Sequence, residues 1–221
     1  MNSRTLALLV LLVALPLSAQ HAHEWRDTHR SRVEILTLVQ TLNADILASA
    51  SATRSLERWC RDHRMAAEPR IVARLIPGAA KMPSAEQLQR LQVSGPEELR
   101  YRHVELRCGA HVLSEADNWY VPARLTPEMN RLLETTDTPF GPVVQMLQPY
   151  RRTVSTTILW SPLAPGWAHR RRPRAWWSKR RLLIPKELFE HRAVLYTIDH
   201  QPFAEVRETY QSQILNFDRE H

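Results

Sequence analysis

Two ionisable residues stand where the strand pattern calls for apolar ones. In YRHVELRC, Tyr101, His103, Glu105 and Arg107 share one parity, while Arg102 falls with Val104, Leu106 and Cys108. In FAEVRETYQ, Glu208 keeps the parity of Ala204 and Val206, and Glu205 and Arg207 lie opposite. An arginine and a carboxylate on the inner face of one sheet need partners, because unpaired burial of charge is costly. Two arrangements meet that need. The pair bond each other or reach out at strand ends; or they face a pocket, where the arginine clamps a ligand carboxylate and the glutamate meets the polar far end of a small ring. The stretch TDTPFG, Thr136 to Gly141, offers a third element. It reads as a helix start, with Thr138 as cap and Pro139 at the first helical position, leaving N–H groups beyond it for a carboxylate.

Other chemistry finds little support. The chain has no G-x-S-x-G elbow, no phosphate-cradling glycine loop and no His-x-x-x-His spacing, and it holds only five glycines in all. That argues against a nucleotide-loop enzyme, and no cofactor is expected. His21, His23 and Glu24 could hold a metal, but they sit in a polar N-terminal segment that rarely does so. Cys60 and Cys108 both lie in apolar-periodic contexts, which favours two buried thiols over one disulfide.

The 221 residues suffice for one ample domain, and 43% hydrophobic content allows a core. Arg4, an apolar run from Leu6 to Leu17, then Ser18 and Ala19 have the anatomy of a signal peptide cut near Ala19. The expected product is a periplasmic or secreted monomer. The formal charge is +7, concentrated in HRRRPRAWWSKRR, residues 169–181, with seven basic residues and no acid. This stretch reads as a solvated loop whose tryptophans cover the core edge, in weak contact at most with anionic surfaces. A nucleic-acid partner is not expected.

Residues 20–32 are polar, and one domain is expected over 33–215, followed by a fraying tail at 216–221. Val33, Leu36, Val39, Leu42 and Ile46 recur at helical spacing, and a second short helix runs through Leu56 and Trp59. Arg70 to Gly78 reads as a strand, and Ser84 with Gln87 caps a short helix ending near Leu91. LRYRHVELRC and HVLSEADNWYVP form a hairpin across Gly109-Ala110. Thr126-Pro127 opens a helix through Leu133, and a short helical VVQML follows. YRRTVSTTILW, HRAVLYTID and FAEVRETYQSQIL complete six strands. With short connections and no regular βα alternation, the expected class is α+β: a six-stranded antiparallel sheet with helices packed on one face.

Five pieces then align in order: SATRSLERWC, YRHVELRCG, ADNWYVP, DTPFG and QPFAEVRETY. Together they make the chain resemble the chorismate pyruvate-lyase superfamily, from about Ala44 to Tyr210. The Thr-Pro-hydrophobic-Gly element is the most specific piece. Members split chorismate into 4-hydroxybenzoate and pyruvate, and the superfamily includes effector-sensing domains of bacterial regulators. The resemblance implies that Arg102 binds the aromatic carboxylate and Glu208 meets the ring oxygen, both as catalytic residues. It further implies that the Phe140 amide and backbone near Ala52 help hold the ligand. Where the superfamily carries a second arginine this chain has Asn118, which suits a smaller or monoanionic ligand. An exported chain is also removed from cytoplasmic chorismate. A non-catalytic carrier or sensor using the same pocket, or an envelope-associated structural protein, are the competing readings.

Overall fold

The computed structural model describes residues 25–169 and 179–218. The proposed signal peptide and most of the basic stretch therefore lie outside the described residues. Helices α1 (His29–Ala48) and α2 (Ala52–Asp62) meet at Ser49-Ala50-Ser51. Both start on hydroxyl caps, Thr28 accepting from Ser31 N–H and Ser51 from Arg54 N–H. Strand β1 (Ile71–Leu75) and helix α3 (Ala85–Leu91) lead to the hairpin β2 (Arg100–Cys108) and β3 (His111–Tyr120). The Ser84–Gln87 capping box forms as the sequence suggests, and Thr126 caps α4 (Pro127–Thr135) with Pro127 in its first turn. The short α5 (Phe140–Val144), then β4 (Tyr150–Ile158), β5 (Glu187–Tyr196) and β6 (Pro202–Gln211) complete the elements that matter for the site.

All six strands join one antiparallel sheet in the order β1-β2-β3-β6-β5-β4. The class is α+β, as the pattern indicates. On the front face, Ile35, Val39, Leu42 and Ile46 of α1 and Leu56 and Trp59 of α2 pack in one core with Val104, Leu106, Phe189 and Tyr210. Beside it, Met129 and Leu133 of α4 and Phe140 and Val144 of α5 form a second core with Leu195 and Val206. Helix α3 instead packs on the reverse face, where Arg90 donates to the buried Glu205 and Leu91 joins Trp119 and Val194. The seam between the two front cores is where a cavity forms.

Three expectations change. Cys60 and Cys108 are joined in a disulfide rather than left as thiols. Both sulfurs are fully buried, and an apolar context alone cannot distinguish a bridge from a pair of thiols. Pro139, not Thr138, is the N-cap of α5, because the Thr138 hydroxyl is engaged by Thr136 Oγ1. Strand β6 stops at Gln211, and residues Ser212–Leu215 turn into a 3-10 helix that tucks Ile214 and Leu215 into the core.

Candidate functional site

A cavity of about 460 Å3 opens along the front of the sheet between α2 and α5. That lies within the size range of small-molecule sites. Its floor is apolar, from Val104, Leu106, Ala116 and Val206. Its roof comes from the start of α2, Ser51 to Arg54, and from Phe140, Gly141 and Pro142 of α5. Roof and roof meet at Gly141, where an added Cβ would lie 3.1 Å from Ser51 Oγ and 3.6 Å from Thr53 Oγ1. Glycine is needed there for close approach, not for backbone freedom. Gly141→Val should push the two roof segments apart and cost about 1–3 kcal/mol, read as a lowered urea midpoint. An unchanged midpoint would show that the segments are not in contact.

Ala52, Asn118, Phe140 and Glu208, drawn from α2, β3, α5 and β6, all line this cavity. Asn118 is 3% exposed, and its side-chain amide makes no hydrogen bond among the described residues. It therefore presents a free donor and acceptor to the cavity.

Arg102 is not among the lining residues. It is buried, cross-strand from Asn118, and its Nη2 donates to the carbonyls of Thr136 (3.2 Å) and Thr138 (3.0 Å). The intervening Asp137 carbonyl accepts from the Ala73 N–H on β1 at 2.8 Å. Three successive carbonyls of TDTPFG are thus tied to the sheet, which fixes where Phe140 begins. Nε and Nη1 of Arg102 are buried without partners, and burial pushes this guanidinium below its usual value against the opposing influence of Tyr120 and Asp137.

The charge beside Glu208 comes from β4. Arg151 Nη2 lies 2.7 Å from Glu208 Oε2, a charge contact without the alignment of a good hydrogen bond, and the two side chains are 6% and 9% exposed. Tyr210 donates its hydroxyl to the same oxygen at 3.1 Å. Burial opposes the charge on Arg151, but Glu208 and Tyr210 outweigh it and hold the guanidinium above its usual value. Burial first, then Glu208, keeps the Tyr210 proton in place well beyond the ordinary phenol range.

Behind this pair stands His191, paired across the strands with Glu208 and 1% exposed. Its Nε2 donates to Asn43 Oδ1 at 2.7 Å, while Nδ1 is buried without a partner. Burial, then Arg151, pushes its pKa down to about 4, with Glu208 opposing. The unfolded chain takes up this proton near pH 6.5, the folded chain only near pH 4. Stability should therefore fall as pH drops through that window, by at most about 3 kcal/mol. His191→Gln, which keeps a donor for Asn43, should flatten that part of a stability–pH curve; an unaltered curve would exclude His191 as its cause.

The parity of β6 that singles out Glu208 also reaches Tyr210, and that of β5 groups His191 with Ala193 and Leu195. Arg151 carries no such signal, because its strand is otherwise exposed throughout. Among the described residues no group of three His, Cys, Asp or Glu could hold a metal, and no helix is long and apolar enough to cross a membrane.

Fold and site define an α+β protein whose sheet floors a small-molecule-sized cavity beneath two helical segments. The chain belongs to the family of the uncharacterized protein y4mC of Sinorhizobium fredii, with 46% identity over 209 residues, 93% of this chain and 86% of that protein. No family model matches it. Among solved structures it is similar to PhnF from Mycobacterium smegmatis, at 11% identity and TM-score 0.47 over 79% of this chain and 70% of that one. The effector domain of the same protein gives 10% and 0.45 over 74% and 89%. A GntR-family transcriptional regulator from Enterococcus faecalis gives 12% and 0.41 over 67% and 99%.

Proposed function

We propose that the protein binds a small aromatic or related carboxylate in the cavity under α2 and α5, as a carrier or sensor module. One observation carries this reading. Ala52, Asn118, Phe140 and Glu208, which the motif resemblance assigns to a ligand, are far apart in the chain yet line one cavity. The ligand carboxylate lies toward the Asn118 amide and the backbone N–H groups that open the two roof segments, and its far end lies toward Glu208 and Arg151. Arg102 serves this site by bracing the carbonyls of Thr136 and Thr138, so Arg102→Ala should weaken binding by displacing Phe140. Thermal-shift titration with benzoate-type acids tests the reading. A ligand at about 100 times its Kd should stabilise the protein by about 2.7 kcal/mol.

Elimination of pyruvate from an enol ether is the second reading. The observation in its favour is the Arg151 guanidinium at the cavity wall, a cation able to stabilise charge on a departing oxygen. Incubation with chorismate, followed by the absorbance of 4-hydroxybenzoate, decides it: folded protein with no product ends the lyase reading.

Export to an oxidising compartment is also proposed. The buried Cys60–Cys108 bridge supports it, since structural disulfides persist outside the reducing cytosol. Cell fractionation should recover the protein in the periplasm or medium, cleaved near Ala19. Uncleaved cytosolic protein would contradict this.

A further inference from the structure

We infer that the outer edge of β4 pairs with the same edge of a second copy of this chain, joining two sheets into one across a two-fold axis. The sheet has two ends, and only one is closed. At β1, the Ala73 N–H donates away from β2 to the Asp137 carbonyl at 2.8 Å, so the TDTPFG stretch covers that edge. At the other end, β4 is bonded to β5 alone among the described residues. It is nine residues long, and the unpaired backbone donors and acceptors of such an edge are a template for another strand.

The sequence of this edge lacks most of the usual protection. From Thr153 to Trp160 it reads TVSTTILW, with no charge and no proline, and Val154, Ile158 and Leu159 are each nearly half exposed. A bulge between Thr153 and Ser155 is its one irregularity, and beyond it Val154, Thr156 and Ile158 alternate regularly onto one face. A second copy of the strand fits this stretch better than a foreign one. Pairing about a two-fold axis is antiparallel, and centred on Thr156 it sets Val154 opposite the copy's Ile158 and Thr156 opposite itself. Arg152, the exposed charge of β4, then falls opposite the copy's Trp160, so no like charges meet. An uncharged stretch also offers nothing to select a partner of opposite sign. Because the β1 edge is closed, the association is isologous and stops at two chains. The same strand supplies Arg151 to the cavity wall, so the paired edge and the cavity adjoin.

Sedimentation velocity of the purified protein from about 1 μM to about 1 mM tests this, a range suited to the small interface that one strand pair makes. The mass should rise from one chain to two and no further. Val154→Glu and Ile158→Lys each place a charge on an exposed position, so the single chain should keep its fold while association weakens at least about tenfold. Combined in one chain, they face each other across the axis and should restore the dimer in a salt-sensitive form. Hydrogen exchange of the parent at the two ends of the range needs no variant: the amides of residues 153–158 should gain protection at the higher concentration. A parent that stays a single chain throughout overturns the inference. So do single variants that associate as well as the parent, protection that appears elsewhere, or assemblies larger than two chains.

Discussion

Arg151→Leu should destabilise the protein by about 3–5 kcal/mol, although it touches a strand that is otherwise open to solvent. The cost does not come from lost attraction alone. Removing the guanidinium leaves Glu208 buried beside a buried tyrosine and a neutral histidine, with no cation to offset its desolvation. Glu208→Leu should cost a similar amount by stranding Arg151, whose Nε has no partner. Combining the two should recover most of the loss, because a buried ion pair replaced by apolar side chains of like volume is often neutral or stabilising. Urea denaturation of the two single variants and the double variant provides the check. Single losses below about 1 kcal/mol, or additive losses in the double variant, would mean that the pair does not form in solution.

Loss of the disulfide should be comparable. Cys60 lies in α2, which roofs the cavity, and Cys108 ends β2, which floors it. The bridge closes a loop of sequence separation 48, and the chain-entropy estimate for such a loop is about 4 kcal/mol. Cys60→Ala with Cys108→Ala should show that loss in equilibrium unfolding, with the void left by each removed sulfur adding to it. Ligand affinity should fall with it, since roof and floor are no longer tied. A double variant as stable as the parent would show that the cysteines are not joined.

The sheet and the helices were legible because hydrophobic period and hydroxyl or proline caps act locally. Arg102 and Glu208 stood out for the same reason: each breaks an alternation within a few residues. What alternation cannot supply is the partner. Arg102 and Glu208 share a face, yet the register sets Arg102 beside Asn118 and Glu208 beside His191 and within reach of Arg151. Arg151 lies in a strand of threonine, serine and valine that never alternates, so its one inward side chain leaves no trace in the sequence. The TDTPFG stretch is similar. Its helix start is local, but the ties from Ala73 and Arg102 that hold its carbonyls come from residues distant in sequence.

The proposed small carboxylate should occupy the cavity between Ala52, Asn118, Phe140 and Glu208. Thermal-shift titration with 4-hydroxybenzoate, run in parallel on the parent, Asn118→Leu and Gly141→Val, tests it most directly. The parent should show a concentration-dependent rise in Tm that is lost or strongly reduced in both folded variants. No rise in the parent across a panel of aromatic acids, or an equal rise in all three proteins, would contradict it.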